Sequence, residues 1–209
     1  MQARHETTQL GFVEGDFPQG LHVCHIFSDD EERNRTLHRF LCAGLKEGER
    51  CGCFSDHFQG LALARELERE GCSEADVTRR DALVAASTRS SYFADGQFRP
   101  EMMLGQLAAF DVGARQLGFK AARIIGEMTR DIEQMPGGSR LLEYEARVSI
   151  LLRTHPITTI CQYDARTFDG GSIMDVLRAH PLVVMRGAIV QNPFWISPEQ
   201  LLAECAARQ

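Results

Sequence analysis

The stretch Leu21–Phe27 (LHVCHIF), followed at once by Ser28–Glu31 (SDDE), decides the fold of this chain. A short apolar run of this kind predicts a buried strand, and the Ser-x-x-Glu spacing after it predicts a capping box at the start of a helix. The helix carries apolar residues at helical spacing from Leu37 to Leu45, and Gly48 ends it. The unit is a buried strand that leads directly into a helix.

The alternation of strand and helix recurs about six times along the sequence. The other predicted strands are Arg50–Phe54, Ala82–Ala86, Ala121–Ile125, Ile157–Tyr163 and Leu182–Val190. They are apolar throughout, as expected where helices cover both faces of a parallel sheet. The sequence therefore predicts an α/β fold, with a largely parallel sheet of about six strands and helices on both faces. Residues 1–19 are predicted to form a flexible tail, and residues 20–209 a single domain.

Composition restricts the class of protein. The chain has 209 residues, of which 44% are hydrophobic and 25% charged, as is typical of a globular domain. The net charge of -6 and the lack of a basic run argue against direct binding to nucleic acid. With no apolar segment long enough to span a bilayer and no signal-peptide core, we expect a cytoplasmic protein without membrane contact. Seven cysteines, an odd number, indicate reduced thiols rather than a disulfide framework.

Nucleotide binding through the usual loops is not expected. The chain lacks the G-x-x-x-x-G-K-[ST] and G-x-G-x-x-G strings that hold phosphates. Its two lysines, Lys46 and Lys120, precede predicted strands instead of following a glycine-rich turn. Asp164 has the position of a Walker B aspartate at the end of an apolar strand, but it has no phosphate cradle beside it. Because no nucleophile elbow or catalytic triad signature is present either, we predict that the chain is not an enzyme.

Ligands of open parallel sheets bind outside the carboxyl ends of the strands. We assign a ligand-binding role to residues of the strands and of one flanking helix, which are His22, Cys24, Cys51, Glu127, Tyr144, Glu145, Tyr163 and Asp164. In such pockets polar groups orient the ligand and aromatic rings supply contact area. His155 and His180 each lie at a helix end before a proline, where the simpler interpretation is a structural cap. Cys161 follows apolar residues and is predicted to belong to the core.

A metal site is the alternative interpretation of the first two strands. His22 and Cys24 share one face of the first strand, and Cys51 and Cys53 share one face of the second. If these strands are neighbours in register, the four side chains converge and can bind Zn²⁺ or another transition metal. The same residues would then form a metal- or thiol-redox-sensing switch. The interpretation of these buried cysteines as small hydrophobes stays open beside it.

Several short motifs, none of them specific by itself, follow one another in a specific order. They are Gly20–Cys24 (GLHVC), Glu31–Glu32, Gly44–Cys51 (GLKEGERC), Tyr92 with Gly96-x-Phe98, Gly118–Phe119, Arg123 with Gly126–Met128 (GEM), Tyr144–Glu145, Cys161–Asp164 (CQYD) and Leu177-x-x-His180–Pro181. Together they resemble the MEDS domain, the methanogen/methylotroph, DcmR-type sensory domain, across residues 20–195. The resemblance implies a core similar to RecA- and KaiC-type ATPases that has lost its P-loop, with Asp164 as a relic.

The resemblance also implies a role. A MEDS-like domain is expected to bind a small-molecule signal and to relay it to a regulatory partner protein in transcriptional or kinase signalling. Such domains are usually fused to DNA-binding or histidine-kinase modules. Because neither is visible in this sequence, we expect either a separate partner or a chain that is part of a longer protein. Since KaiC-like proteins often assemble, a homo-oligomer is left open. The remaining alternative is a degenerate ATPase fold that acts purely as a protein-interaction scaffold.

Overall fold

A seven-stranded sheet forms the centre of the structure, a computed structural model that describes residues 7–57, 60–92 and 95–207. The strands are β1 (Thr7–Thr8), β2 (Phe17–Pro18), β3 (His22–Phe27), β4 (Arg50–Phe54), β5 (Leu83–Ala86), β6 (Ala122–Met128), β7 (Thr158–Asp164), β8 (Leu182–Met185) and β9 (Ala188–Gln191). The order in the main sheet is β5-β4-β6-β7-β3-β8-β9, and every pairing is parallel except β8 with β9. The predicted α/β fold with a largely parallel sheet is confirmed.

Helices connect the strands. Those in the described ranges are α1 (Asp30–Lys46), α2 (Gly60–Arg69), α3 (Glu74–Thr78), α4 (Thr88–Tyr92), α5 (Pro100–Gln116), α6 (Asp131–Gln134), α7 (Leu141–Leu151), α8 (Gly170–Ala179) and α9 (Pro198–Ala207), with a 3-10 turn at Gly138–Arg140. The cap of α1 lies one residue later than predicted, because the Asp29 side chain accepts from the Glu32 backbone N–H at 2.8 Å. None of these helices is both long and apolar enough to cross a bilayer.

The two faces of the sheet are covered by different helices. His22 of β3 pairs with Thr159 of β7, which pairs with Ile124 of β6, so Arg123 points to the face opposite His22. Arg123 contacts α1, where its guanidinium donates to the Phe40 carbonyl at 2.6 Å. His22 contacts α7. The sheet therefore separates two buried polar environments, one beneath α1 and one beneath α7.

The stretch Leu182–Val190, predicted as one strand, is a hairpin. Its two halves pair antiparallel, with Val183 opposite Val190. Arg186 and Gly187 between them have φ values of 51° and 77°, and a two-residue type I′ turn needs positive φ at both positions. The prediction of one strand is wrong because the apolar run continues on both sides of the turn.

The N-terminal segment is not a flexible tail over residues 7–19. β1 and β2 pair antiparallel, and Leu10 between them is completely buried. The Thr8 hydroxyl donates to Glu49 Oε1 at 2.9 Å. This burial and this hydrogen bond hold the segment against the sheet despite its polar composition. Residues 1–6 of the predicted tail lie outside the described residues, and the single domain at 20–209 stays a prediction.

Two of the seven cysteines are joined. Cys42 of α1 and Cys72, after α2, form a disulfide with their Cα atoms 5.6 Å apart, a separation typical of the bond. The expectation of reduced thiols does not hold for this pair, because the fold brings together two cysteines that lie 30 residues apart. Cys24, Cys51, Cys53 and Cys161 are free and buried.

Candidate functional site

A cluster of four side chains of metal-ligand type is buried between the sheet and α7. His22 begins β3, Cys161 lies in the middle of β7, Glu145 lies on α7, and His180 directly follows α8. One nitrogen, oxygen or sulfur atom from each lies within 4.8 Å of every other. All four side chains are buried. Four separate elements of the fold thus bring one polar group each to the same interior point, which we call the His22–His180 cluster.

Glu145 is the centre of the cluster. Its Oε2 atom lies 3.1 Å from His22 Nε2, 3.4 Å from His180 Nε2 and 3.6 Å from Cys161 Sγ. The Tyr163 hydroxyl donates to the other oxygen, Oε1, at 2.5 Å. Cys161 Sγ also lies 3.6 Å from His22 Nε2. One carboxylate oxygen therefore faces two imidazole nitrogens and a sulfur.

The outer nitrogen of each imidazole is held by a group outside the cluster. His180 Nδ1 lies 2.7 Å from the Val176 carbonyl, to which it can only donate, so its Nε2 is the nitrogen that faces the cluster. His22 Nδ1 lies 2.8 Å from Ser149 Oγ, and Ser149 Oγ lies 3.4 Å from the Ala179 carbonyl. The other nitrogen, His22 Nε2, lies 3.1 Å from Glu145 Oε2, so the tautomer of the ring decides whether it donates to Ser149 or to Glu145. In either case Nε2 is the nitrogen that faces the cluster.

Burial sets the protonation of the cluster. Desolvation and the nearby His180 lower the pKa of His22 to about 4, so its ring is neutral at neutral pH. Burial alone would raise the pKa of Glu145, but His180 and His22 hold it well below its ordinary value. Burial raises the pKa of the Cys161 thiol and of the Tyr163 hydroxyl, and the neighbouring Glu145 adds to both shifts. The cluster therefore surrounds an ionised carboxylate with a thiol and a phenol that keep their protons.

Two of the predicted ligand-binding residues, His22 and Glu145, belong to this cluster, and a third, Tyr163, donates to Glu145. Cys24 lies beside it on the sheet, since it pairs with Cys161 in the register of β3 and β7. Burial, followed by the charge of Glu145, raises the pKa of the Cys24 thiol well above its usual value. The predicted set thus includes part of the cluster, while Cys51 and Glu127 lie on the opposite face of the sheet.

The metal-binding set expected from the first two strands is not assembled. β6 and β7 lie between β3 and β4, so the two strands are not neighbours. Cys51 and Cys53 on β4 pair with residues of β5 and β6, whereas His22 and Cys24 lie on β3 beside β7 and β8. The prediction that these four side chains converge is wrong, because succession in the chain does not fix neighbourhood in an open parallel sheet.

Glu127 and Asp164, also predicted to bind the ligand, lie at the carboxyl ends of their strands and away from the cluster. Glu127 accepts from the Ser55 hydroxyl at 2.7 Å and lies 3.8 Å from the Arg33 guanidinium. Asp164 accepts from Arg166 Nε at 2.8 Å. Each acid already has a polar partner. The carboxyl edge of the sheet therefore carries a network of paired charges, while the metal-ligand residues gather deeper, against α7.

Cys161 and His180 are the members of the cluster that sequence reasoning missed. The interpretation of His180 as a helix cap is correct for Nδ1, which contacts the Val176 carbonyl, but it leaves Nε2 unexplained. Cys161 is buried as predicted, but among polar groups. A usable signal was present, since both residues lie in the motifs Cys161–Asp164 and Leu177-x-x-His180–Pro181 that carry the family resemblance.

A small cavity adjoins the cluster on the same side of the sheet. Its volume is about 20 Å³, and its lining includes Leu107 of α5, Tyr144 of α7 and Cys161 of β7. Gly126 of β6 also lines it, and a Cβ at that position would lie only 2.3 Å from the Tyr92 hydroxyl. Tyr144, the fourth predicted ligand-binding residue on this face, thus borders a space that reaches the cluster at Cys161.

Comparison with known proteins identifies the family. The family described as "MEthanogen/methylotroph, DcmR Sensory domain", abbreviated MEDS, matches residues 21–181. The chain belongs to the MEDS family. The matched segment contains the whole His22–His180 cluster, together with the strands and helices that carry it. The resemblance of the motifs is confirmed, and family membership gives the chain a sensory role in signalling.

Individual relatives agree with this assignment. The transcriptional repressor DcmR of Methylorubrum extorquens is 27% identical over 161 residues, which make up 76% of this chain and 57% of the repressor. The chain thus spans little more than half the length of that relative.

Solved structures show the fold. A KaiC-like protein of the hyperthermophilic archaeon Pyrococcus horikoshii matches with a TM-score of 0.60 and 14% identity, over 85% of this chain and 79% of that one. The flagellar accessory protein FlaH of Methanocaldococcus jannaschii matches with a TM-score of 0.55 and 11% identity, over 82% and 76% respectively. The predicted KaiC-like fold is therefore confirmed.

Proposed function

We propose that this MEDS domain is a non-catalytic sensor that binds a small-molecule signal and relays it to a regulatory protein partner in the cytoplasm. The observation that carries the proposal is the cavity between the sheet and helices α5 and α7, next to the His22–His180 cluster. A sensor needs an interior space in which a bound ligand changes how secondary-structure elements pack. This cavity lies where helices α5 and α7 meet the sheet.

The lining of the cavity favours a small and largely apolar ligand. Leu107 and Ile124 supply apolar wall, and the rings of Tyr92 and Tyr144 supply aromatic contact area. Cys161 places a sulfur atom at the same wall. A molecule with a short hydrocarbon part and at most one polar group matches these walls better than a charged or phosphorylated one.

The size of the cavity links binding to a change of conformation. A volume of about 20 Å³ holds about one water molecule. Any larger ligand therefore selects a state in which α5 or α7 lies farther from the sheet, and only such a difference in affinity between two states can transmit a signal. α7 also packs against α8 and α9, so a shift of α7 reaches the outer surface. A transcriptional output, as the name of the DcmR relative states for that protein, is the output we propose.

Small probe molecules test the cavity. The thermal unfolding midpoint and the NMR spectrum of the full chain are measured with xenon, methanol, ethanol and propanol. We expect at least one probe to shift the signals of residues around the cavity. Leu107→Phe fills the cavity and should abolish the shift, whereas Leu117→Phe, the same change at a position 47% exposed just after α5, should retain it. A wild-type chain that responds to none of the probes would contradict ligand binding at this cavity.

Hydrogen exchange tests the relay. A probe that binds should change the exchange of backbone amides in α5 and α7, because the bound state separates these helices from the sheet. Leu107→Phe should show no such change with the same probe. If a probe binds but exchange in both helices stays as in the free protein, the relay is refuted, and a protein-interaction scaffold becomes the better explanation.

A further inference from the structure

Four of the six spacings among the inner atoms of the cluster are close to the edges of a tetrahedral zinc site. Zinc–ligand bonds of about 2.0 Å to nitrogen, 2.1 Å to oxygen and 2.3 Å to sulfur place nitrogen and oxygen ligands about 3.4 Å apart, and sulfur about 3.6 Å from either. Glu145 Oε2 lies 3.1 Å from His22 Nε2 and 3.4 Å from His180 Nε2. Cys161 Sγ lies 3.6 Å from both His22 Nε2 and Glu145 Oε2. The two remaining spacings, from His180 Nε2 to His22 Nε2 and to Cys161 Sγ, are within 4.8 Å.

The histidine nitrogens point to a bound cation. His180 donates from Nδ1 to the Val176 carbonyl, so its other nitrogen, Nε2, faces Glu145 Oε2 at 3.4 Å. Within the described ranges this buried Nε2 atom has no hydrogen-bond partner. A divalent cation held among the cluster atoms would give it a ligand bond. Metal-bound histidines are held through the opposite ring nitrogen, as the Val176 carbonyl holds His180 and Ser149 holds His22.

The charges of the four groups balance those of one divalent ion. When the metal binds, the Cys161 thiol loses its proton to solvent and becomes a thiolate, and Glu145 supplies a second negative charge. The imidazoles bind as neutral ligands. Within the described ranges the ion-pair partners of Glu145 are His22 and His180, with no arginine or lysine among them. One Zn²⁺ makes the buried site neutral, which meets the requirement that buried charges be paired or coordinated.

We propose that His22, Glu145, Cys161 and His180 bind one Zn²⁺ ion with tetrahedral geometry. Four protein ligands leave no open position, which is typical of structural rather than catalytic zinc. The ion would fasten β3, β7, α7 and the end of α8 to one another. The proposal goes beyond the small-molecule sensor and does not depend on it, because it rests on the ligand atoms and not on the neighbouring cavity.

Metal analysis of the full chain tests the site. The protein is stripped with a chelator under reducing conditions, reloaded with Zn²⁺, dialysed and measured by elemental mass spectrometry. We expect about one zinc per chain in the wild type and at least a tenfold loss in Cys161→Ser. The matched control is Cys53→Ser, which changes another buried free cysteine on β4 and should retain the zinc. A wild type without zinc after reloading, or equal loss in both variants, would overturn the proposal.

Two further measurements separate loss of the site from loss of the fold. His180→Gln removes a ligand at a helix end rather than inside the sheet, and it should lose zinc while its circular dichroism spectrum stays that of the wild type. In the wild type, Co²⁺ in place of Zn²⁺ should give a sulfur-to-cobalt charge-transfer band and the intense visible bands of tetrahedral cobalt. A cobalt spectrum without the sulfur band would show that Cys161 is not a ligand and would refute the four-residue site.

Discussion

The buried ion pair of Arg123 and Glu49 controls how the α1 face of the sheet is held. Arg123 Nε donates to Glu49 Oε2 at 2.7 Å, and neither side chain is more than 1% exposed. The two terminal guanidinium nitrogens donate to the Phe40 carbonyl at 2.6 Å and to the Thr8 hydroxyl at 2.8 Å. Gly44 makes room for this arrangement, since a Cβ there would lie 2.2 Å from Arg123 Nε. The network joins β6, α1, β1 and the residue before β4.

Removing one charge of this pair should be strongly destabilising. Glu49→Gln leaves the Arg123 guanidinium buried without an anion, and breaking a buried pair in this way costs about 3–5 kcal/mol of unfolding free energy. For a chain of this size that cost corresponds to a fall of roughly 6–20 °C in the thermal midpoint. Arg123→Met should cost a similar amount because it leaves the Glu49 carboxylate alone. The double variant should cost less than the sum of the two, by about 2 kcal/mol or more, since it leaves neither charge unpaired.

The wild type, the two single variants and the double variant form a double-mutant cycle, and denaturant unfolding followed by circular dichroism measures the stability of each. The zinc concentration is held constant because a ligand of the folded state shifts the stability of the protein. Glu47→Gln is the matched control. It breaks the ion pair of Glu47 with Lys120, whose two side chains are each 45% exposed, and an exposed pair contributes at most about 1 kcal/mol. If Glu49→Gln is no more destabilising than Glu47→Gln, or if the two single changes are additive, the pair is not isolated from water and the reasoning is refuted.

Three further predictions follow from other buried contacts. Gly126→Ala places a Cβ 2.3 Å from the Tyr92 hydroxyl and should lower the free energy of denaturant unfolding by about 1–3 kcal/mol. Adding Tyr92→Phe should restore part of that free energy. An unchanged stability of Gly126→Ala would contradict the close contact between Gly126 and Tyr92. Burial lowers the pKa of His25 to about 4, so the unfolded chain binds a proton that the folded chain does not. The stability that neutral His25 contributes is fully present above about pH 6.5 and is lost as the pH falls towards 4, by about 3 kcal/mol at most. His25→Gln should lack this part of the pH dependence of unfolding. Reduction of the Cys42–Cys72 disulfide, which closes a segment of 30 residues, should lower the unfolding free energy by about 3–4 kcal/mol, and a Cys72→Ser chain should not respond to reductant.

The local part of the fold was predictable because it depends on neighbours in the chain. Most of LHVCHIF became β3 because it is largely apolar and contains the β-branched residues Val23 and Ile26. The acidic segment after it started α1 one residue from the predicted cap. The hairpin of β8 and β9 escaped prediction because its turn, Arg186–Gly187, interrupts an apolar run without changing its composition. The strand order escaped as well, since β3 and β4 each satisfy the same pattern whether they are neighbours or not.

The site was predictable only in part for a related reason. His22 and Tyr163 lie on strands, and Glu145 lies on a helix beside them, so polar residues in apolar surroundings marked them. Cys161 and His180 fitted structural explanations that are locally sufficient, a core thiol and a helix cap. Their second role comes from contacts across the fold, where 139 positions separate Cys161 from His22. Local pattern carries no signal for such a contact.

The two faces of the sheet differ in whether their buried polar groups all have hydrogen-bond partners within the chain. This difference favours one face as the binding site. Beneath α1, the donors of Arg123 meet the acceptors of Glu49, Thr8 and Phe40, so the network is complete within the chain. Beneath α7, His180 Nε2 lies 3.4 Å from Glu145 Oε2 and has no hydrogen-bond partner within the described ranges. A complete network leaves no group for a further partner to satisfy, whereas a buried polar atom without a partner requires an explanation. The α7 face, with its adjoining cavity, is therefore where we propose that an ion and a signal bind.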